Sequence, residues 1–214
     1  MKKRSFVYLL SSLCLITTLS FAQSEFPTVE LAGGYSYVNL NPQIVSSQNL
    51  NGGGGAFVYN LAPLLGIKAD FMGYAVGTGW TTYLRNRYGF AGSASGNAFT
   101  YMFGPQIKKH SGKYQPFGEA LFGSFHSNGY GTLIRCIQNN GCSGVNGNGN
   151  NNGFAMEFGG GLDIPLSTHV QIRPVEVDYL YAHFSANHIR GYSAGLNNFK
   201  YFGGVNFTLG GSSQ

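Results

Sequence analysis

The sequence predicts an all-β fold, an eight-stranded antiparallel up-and-down β-barrel that crosses a membrane. Eight segments in which apolar and polar residues alternate follow the first two dozen residues. The gaps between these segments are alternately long and short, which is typical of a barrel with tight turns on one side and extended loops on the other. Only 10% of the residues are charged, whereas a soluble domain usually has about 25%.

The first 22 residues have the pattern of a cleaved secretory signal peptide. Three basic residues in Met1–Arg4 precede an apolar run from Phe6 to Phe21, and the small residues Ser20 and Ala22 stand where signal peptidase cleaves. We expect cleavage after Ala22, which leaves residues 23–214 as one barrel domain. A membrane anchor helix is the alternative, and the shortness of the apolar run disfavours it.

The charge balance changes when this segment is removed. The chain has 13 Lys+Arg and 8 Asp+Glu, and three of the basic residues leave with the signal, so the mature chain is near +2. No basic cluster interleaved with aromatic residues remains, and we therefore expect no nucleic-acid partner.

The strands are expected at about 28–40, 53–61, 65–76, 97–107, 114–127, 153–164, 170–181 and 198–209. A length of about 9–13 residues is enough to cross the hydrocarbon when a strand is tilted. Short turns follow strands two, four and six. The long connections, at about 41–51, 77–96, 128–152 and 183–197, are expected on the extracellular side.

Strands one to four place large apolar side chains at every second position. Leu31, Phe57, Phe71 and Phe103 lie on such faces, which we expect to contact lipid. The opposite faces carry small and charged residues, and Lys68 and Asp70 are spaced as an internal ion pair requires.

Strand five is ambiguous. Placing Phe117, Leu121 and Phe125 toward lipid also places Glu119 there, and a carboxylate is costly at mid-bilayer. The opposite register buries Glu119 but leaves a thin apolar outer face, and we favour it.

Strand seven changes phase. Val170 and Ile172 share one face, whereas Val175 and Val177 have the other parity, and Pro174 lies at the switch. A β-bulge there tolerates the missing proline donor and absorbs the extra residue. Strands six and eight alternate regularly.

The inward positions of these strands predict a polar network in the lumen. An eight-stranded barrel is only wide enough to be filled by side chains, so we interpret the network as structural, with a narrow gated ion path as the alternative. Its expected members are Glu30, Lys68, Asp70, Glu157, Asp163, Arg173, Glu176, Asp178 and Lys200. A soluble lipid-binding barrel would require the reverse distribution.

Cys136 and Cys142 are the two cysteines of the mature chain, in the third long loop. No further Cys or His lies near them to complete a zinc site. We expect a disulfide within this loop, because an exported protein meets an oxidising compartment.

The chain resembles the small bacterial outer-membrane β-barrels of the OmpA-like and OmpX-like type. The resemblance covers the mature chain and rests on motifs in strands one, six, seven and eight: Leu31–Tyr37, Phe158–Asp163, Arg173–Tyr179 and Gly204–Leu209. It implies a location in the bacterial outer membrane, among its lipids. Gly204, Phe207 and Leu209 resemble the signal recognised by the barrel-insertion machinery, although the chain continues to Gln214 and Phe202 stands at a usually polar position.

The resemblance leaves the role open. Aromatic residues in the long loops, Trp80, Tyr83, Tyr88, Tyr130 and Tyr192, suit an adhesin or receptor with an extracellular ligand. A lipid-modifying enzyme is a further alternative. Its candidate residues, His126, Ser127, His183 and Ser185, lack a nucleophile motif, so we expect no catalytic residues. We also expect no cofactor and no metal site.

Overall fold

The computed structural model describes residues 26–42, 45–145, 151–184 and 195–210. These residues form eight strands and two short helices. The strands are β1 (Val29–Leu40), β2 (Gln48–Ala62), β3 (Leu65–Val76), β4 (Gly96–Lys108), β5 (Gln115–Ser127), β6 (Asn152–Pro165), β7 (Val170–His183) and β8 (Gly195–Leu209). The helices are α1 (Gly79–Tyr88), after β3, and α2 (Asn128–Gln138), after β5. The expected signal peptide lies outside the described residues.

The strands form a closed antiparallel barrel, in which each pairs with the next and β8 pairs with β1. At this closing seam Val29 lies opposite Leu209 and Gly34 lies opposite Gly204. The predicted fold class is therefore confirmed. Among the described residues, no helix has the length and hydropathy that a membrane-spanning helix needs.

The wall of the barrel is apolar outside and charged inside. Phe71, Phe103 and Phe199 are 56%, 61% and 65% exposed on the outer surface, at the positions that the period-two alternation predicts. The inward positions between them carry buried residues, including charged ones. This distribution is the reverse of a soluble barrel.

The expected bulge in β7 is confirmed. Arg173 lies opposite Gly204 and Glu176 lies opposite Phe202, so Pro174 and Val175 face a single residue of β8. The extra residue lets both Arg173 and Glu176 point inward. Two further irregularities were not predicted: the pairing shifts between Asn60 and Ala62 and between Leu162 and Ile164.

The long connections are more ordered than the sequence analysis expects. β2 begins at Gln48, five residues before the expected position, so the first connection shortens. The second and third contain α1 and α2. In α2, Tyr130, Leu133 and Ile134 have the spacing of one helical face and are buried.

The helices α1 and α2, which we call the cap, cover the long-loop end of the lumen. They contact each other, and α2 contacts β4. Beneath them lies an apolar plug of inward strand residues, Val38, Leu40, Leu50, Met72, Val76, Met102, Leu121, Phe125 and Leu180. The lumen is therefore filled by apolar side chains toward the long-loop end and by polar and charged side chains below them, whereas only a polar network was predicted.

Candidate functional site in the barrel lumen

All nine side chains of the expected lumenal network point into the barrel, each at most 1% exposed. They come from five strands, and the period of two, with the bulge in β7, places each on the inner face. Below the apolar plug they form two layers joined by Arg173. We call these the middle tier and, at the short-turn end, the lower tier.

The lower tier is built around Lys108, with Glu30 and Asp163 as its acidic members. The Lys108 Nζ donates to Glu30 Oε2 at 2.5 Å, to Asp163 Oδ2 at 2.6 Å and to Gln171 Oε1 at 3.0 Å. Lys108 was not predicted as a lumenal residue, because the sequence places it in the turn expected after strand four. Lys108 lies an even number of residues from Thr100 and Gln106, which face inward on β4, and this spacing could have predicted its position in the lumen.

His110 closes the lower tier from the turn that follows β4. Its Nδ1 lies 2.8 Å from the carbonyl oxygen of Pro63, and its Nε2 lies 2.9 Å from Glu30 Oε1. The carbonyl oxygen of Pro63 and the carboxylate of Glu30 are both acceptors, so the ring bridges the turn and the lower tier through its two nitrogens. This contact joins residues 80 positions apart, and no local pattern predicts it.

Arg173 joins the two tiers. Its Nε and NH2 bind both oxygens of Asp163 at 2.7 and 2.9 Å, and its NH1 donates to Glu176 Oε2 at 2.8 Å. The guanidinium also lies 4.3 Å from the centroid of the Phe117 ring. A planar guanidinium can make all these contacts at once, which the compact ammonium of lysine cannot.

The middle tier contains Lys68 and Lys200 among five carboxylates. Lys68 Nζ lies 2.8 Å from Glu119 Oε1 and 3.1 Å from Glu176 Oε1. Lys200 Nζ lies 2.6 Å from Glu157 Oε2 and 3.2 Å from Asp178 Oδ2. The fifth carboxylate is that of Asp70, with Oδ2 at 3.6 Å from both ammonium groups.

Glu119 belongs to this tier, so β5 has the register that the sequence analysis favours. Besides Lys68, Glu119 accepts a hydrogen bond from Gln106 Nε2 at 3.0 Å. Phe117, Leu121 and Phe125 are buried with it, and Phe122 is exposed on the outer face.

The cap holds the disulfide and the single tryptophan. Cys136, in the last turn of α2, is joined to Cys142 just beyond it. Trp80 of α1 and Tyr130 of α2 are buried with ring centroids 5.8 Å apart. Burial raises the pKa of Tyr130 to about 12, because the phenolate would lose its hydration.

This burial corrects the expectation that the loop aromatics offer contact groups. Trp80 and Tyr130 are inside the cap, and Tyr83 and Tyr88 are half-buried against it. Tyr192 lies outside the described residues. The side chains that α1 and α2 expose are mostly polar, among them Arg85, Arg87 and Arg135.

The candidate catalytic residues lie at the rim. His126 bonds to Asn152 and Asn128, and the Ser127 hydroxyl accepts from the backbone N–H of Tyr130 at the start of α2. His183 ends β7, and Ser185 is outside the described residues. All seven described carboxylates lie in the lumen, away from these histidines, so the contacts give His126 and Ser127 a role in folding the rim.

The residues of the expected assembly signal lie on β8. Phe207 and Leu209 face outward and are about half exposed, whereas Gly204 faces inward at the closing seam. A Cβ on Gly204 would lie 2.2 Å from the carbonyl oxygen of Gly33, so the close approach of β1 requires glycine there.

Comparison with known proteins gives a fold and no family. No family model matches the chain, and no curated protein matches it. The structure is similar to that of Ail, the attachment invasion locus protein of Yersinia pestis, with 12% identity, a TM-score of 0.51 and coverage of 85% of this chain and 99% of that one. It is also similar to Neisserial surface protein A, with 9% identity, a TM-score of 0.50 and coverage of 85% and 97%. Both likenesses show the barrel fold.

Proposed function

We propose that this chain is an integral protein of a bacterial outer membrane whose sealed barrel supports the cap at the cell surface. The observation that carries the proposal is the reversed distribution of side chains, apolar outside and ionic inside. Exposing the apolar outer face to lipid has no free-energy cost, whereas exposing it to water would be unfavourable. The names of the two similar proteins, a surface protein and an attachment protein, agree with this location.

The test is membrane fractionation combined with gel migration before and after boiling. We expect the chain in the outer-membrane fraction, extracted only by detergent, with a folded form that migrates differently until it is boiled. A chain that stays folded in buffer without detergent would falsify the proposal.

A filled lumen implies a barrel that conducts almost no ions. The apolar plug and the two polar tiers occupy the path between the barrel ends, which argues against the gated-pore alternative. In planar bilayers we expect wild-type protein to stay near the baseline current. Stepwise channel openings at moderate voltage would favour the pore instead.

A second candidate function, surface attachment through the cap, is favoured by one observation. Arg85, Arg87 and Arg135 are exposed on the cap, and all seven described acidic side chains lie inside the barrel. The described outer surface therefore carries positive charge without negative charge, which attracts anionic partners.

Binding of whole cells to an anionic polysaccharide tests this candidate. We expect salt-sensitive binding that weakens when Arg85, Arg87 and Arg135 are replaced by Gln. The matched control replaces the exposed Lys109 and Lys113, at the opposite end of the barrel, by Gln. Equal loss in both variants, or no loss in either, would count against attachment through the cap.

A further inference from the structure

The charges inside the barrel do not balance. Seven carboxylates, those of Glu30, Asp70, Glu119, Glu157, Asp163, Glu176 and Asp178, share the lumen with the basic side chains of Lys68, Lys108, Arg173 and Lys200. His110, which contacts Glu30, adds at most one positive charge. At least two negative charges therefore remain without a counter-charge. Burying uncompensated charge away from water is costly, so something further must neutralise it.

The deficit is localised in the middle tier. The lower tier satisfies its carboxylates through Lys108, Arg173, His110 and the amide of Asn206. In the middle tier, by contrast, five buried oxygens have no hydrogen-bond partner among the described residues. They are both oxygens of Asp70, both oxygens of Asp178 and Oε1 of Glu157. Lys200 Nζ lies 3.2 Å from Asp178 Oδ2, but neither oxygen of Asp178 accepts a hydrogen bond in the described chain.

Three carboxylates of this tier converge. Glu119, Glu157 and Asp178 come from β5, β6 and β7, and one oxygen from each lies within 4.8 Å of the other two. Calcium binds carboxylate oxygens at about 2.3–2.6 Å, so oxygens up to about 5 Å apart can share one ion. Magnesium, with bonds of about 2.0–2.1 Å, spans a shorter distance.

We propose that Glu119, Glu157 and Asp178 bind one divalent cation of the calcium type inside the barrel. Its two positive charges offset two of the uncompensated negative charges, and it provides a partner for oxygens that otherwise have none. Lys68 and Lys200 contact Glu119 Oε1 and Glu157 Oε2, whereas Glu157 Oε1 and both oxygens of Asp178 accept no hydrogen bond. The sequence analysis expects no metal, because these three residues are 21 to 59 positions apart in the chain and only barrel closure brings them together.

The site is enclosed, so the ion enters as the barrel folds. Leu121 and Leu180 of the apolar plug are buried, each two residues nearer the long-loop end than Glu119 and Asp178, and Arg173 with the lower tier lies on the other side. An ion bound here is expected to resist chelators once folding is complete. The proposal depends on the described interior and not on the cellular location.

The experiment is refolding in detergent with calcium chloride, followed by EDTA, gel filtration in metal-free buffer and elemental analysis. We expect about one calcium ion per folded chain, and only background in the boiled, unfolded chain passed through the same column. Refolding with magnesium chloride is expected to leave much less metal bound. Calcium at the level of the unfolded chain would mean that protons neutralise the lumen, and the proposal would be wrong.

Two variants locate the ion. Replacing Glu157 by Gln together with Asp178 by Asn is expected to reduce retained calcium to background. Glu30→Gln, which removes a carboxylate from the lower tier, is the matched control and is expected to retain wild-type calcium. Only the fraction with folded gel migration is analysed. Equal retained calcium in wild type and the double variant would contradict the assignment of the ion to Glu157 and Asp178. If a variant does not fold, the comparison of folded with boiled wild-type protein still decides whether calcium is bound.

Discussion

Arg173 and Asp163 form a two-point contact inside the barrel, with Nε at 2.7 Å from Oδ1 and NH2 at 2.9 Å from Oδ2. The two residues lie on either side of the turn between β6 and β7. Because Asp163 also accepts from Lys108, this carboxylate is shared by the cation of the lower tier and the cation that joins the tiers.

Removing this carboxylate is expected to destabilise the barrel. Asp163→Asn leaves Arg173 and Lys108 buried with too few acceptors, and breaking a buried ion pair costs about 3–5 kcal/mol. Urea unfolding in detergent or lipid vesicles, followed by gel migration, measures the change. Lys113→Met, in an exposed turn, serves as the control and is expected to stay within about 0.5 kcal/mol of wild type. Equal stability of all three proteins would show that the contact contributes nothing.

The closing seam is expected to be intolerant of a methyl group on its inner side. A Cβ on Gly34 would lie 2.2 Å from the carbonyl oxygen of Gly203, whereas a Cβ on the neighbouring Gly33 has no atom closer than 3.9 Å. Gly34→Ala is therefore expected to cost about 1–3 kcal/mol, and Gly33→Ala little. Refolding yield and urea midpoint measure both. A Gly34→Ala protein as stable as Gly33→Ala contradicts the described seam.

The disulfide is expected to stabilise the cap and not the barrel. Closing this short loop is worth about 2 kcal/mol by chain entropy, which is about 30-fold in a local opening equilibrium. Replacing Cys136 and Cys142 by Ser should accelerate trypsin cleavage after the exposed Arg135, while the barrel keeps its folded gel migration. If the rate of cleavage after Arg135 is the same without the disulfide, the disulfide does not protect this site, and packing of α2 alone does.

The cap is expected to open at alkaline pH before the barrel does. The pKa of Tyr130 is raised by burial to about 12, against about 10 for an exposed phenol. As the pH rises, the Tyr130 hydroxyl therefore loses its proton in the opened cap before it does so in the closed cap. The stability that the neutral Tyr130 gives the closed cap is fully present below about pH 10 and is lost as the pH rises through about 12. Trp80, the one tryptophan of the chain, should report this as a red shift in fluorescence. In Tyr130→Phe the shift should move to higher pH, and coincident profiles would contradict this assignment.

The inward and outward faces of the barrel wall were predictable, because they follow from the alternation of apolar and polar residues within each strand. Alternation in each strand fixes which side chains face in, and the parity change at Pro174 was sufficient to predict the bulge between Arg173 and Glu176. The cost of a carboxylate in lipid was enough to orient Glu119. Each of these inferences needs only a few neighbouring residues.

The cap and the inner contacts were not predictable in the same way. α1 and α2 lie in segments rich in Gly and Asn, and α2 is covered only because Trp80 and Phe184 come from distant parts of the chain. The contact of His110 with Glu30 and the approach of Glu119 to Glu157 depend on barrel closure. Local composition carries no information on such distances, so neither the helices of the cap nor these contacts were predicted.

Pairing of the first strand with the last has a consequence for biosynthesis. Until Leu209 has been synthesised, β1 has no partner on one side, and every shorter nascent chain presents two open edges. Such edges pair with other chains, so premature termination is expected to give aggregates and not smaller barrels. A chaperone that holds the unfolded chain until the last strand is available would then limit the yield of protein in the cell.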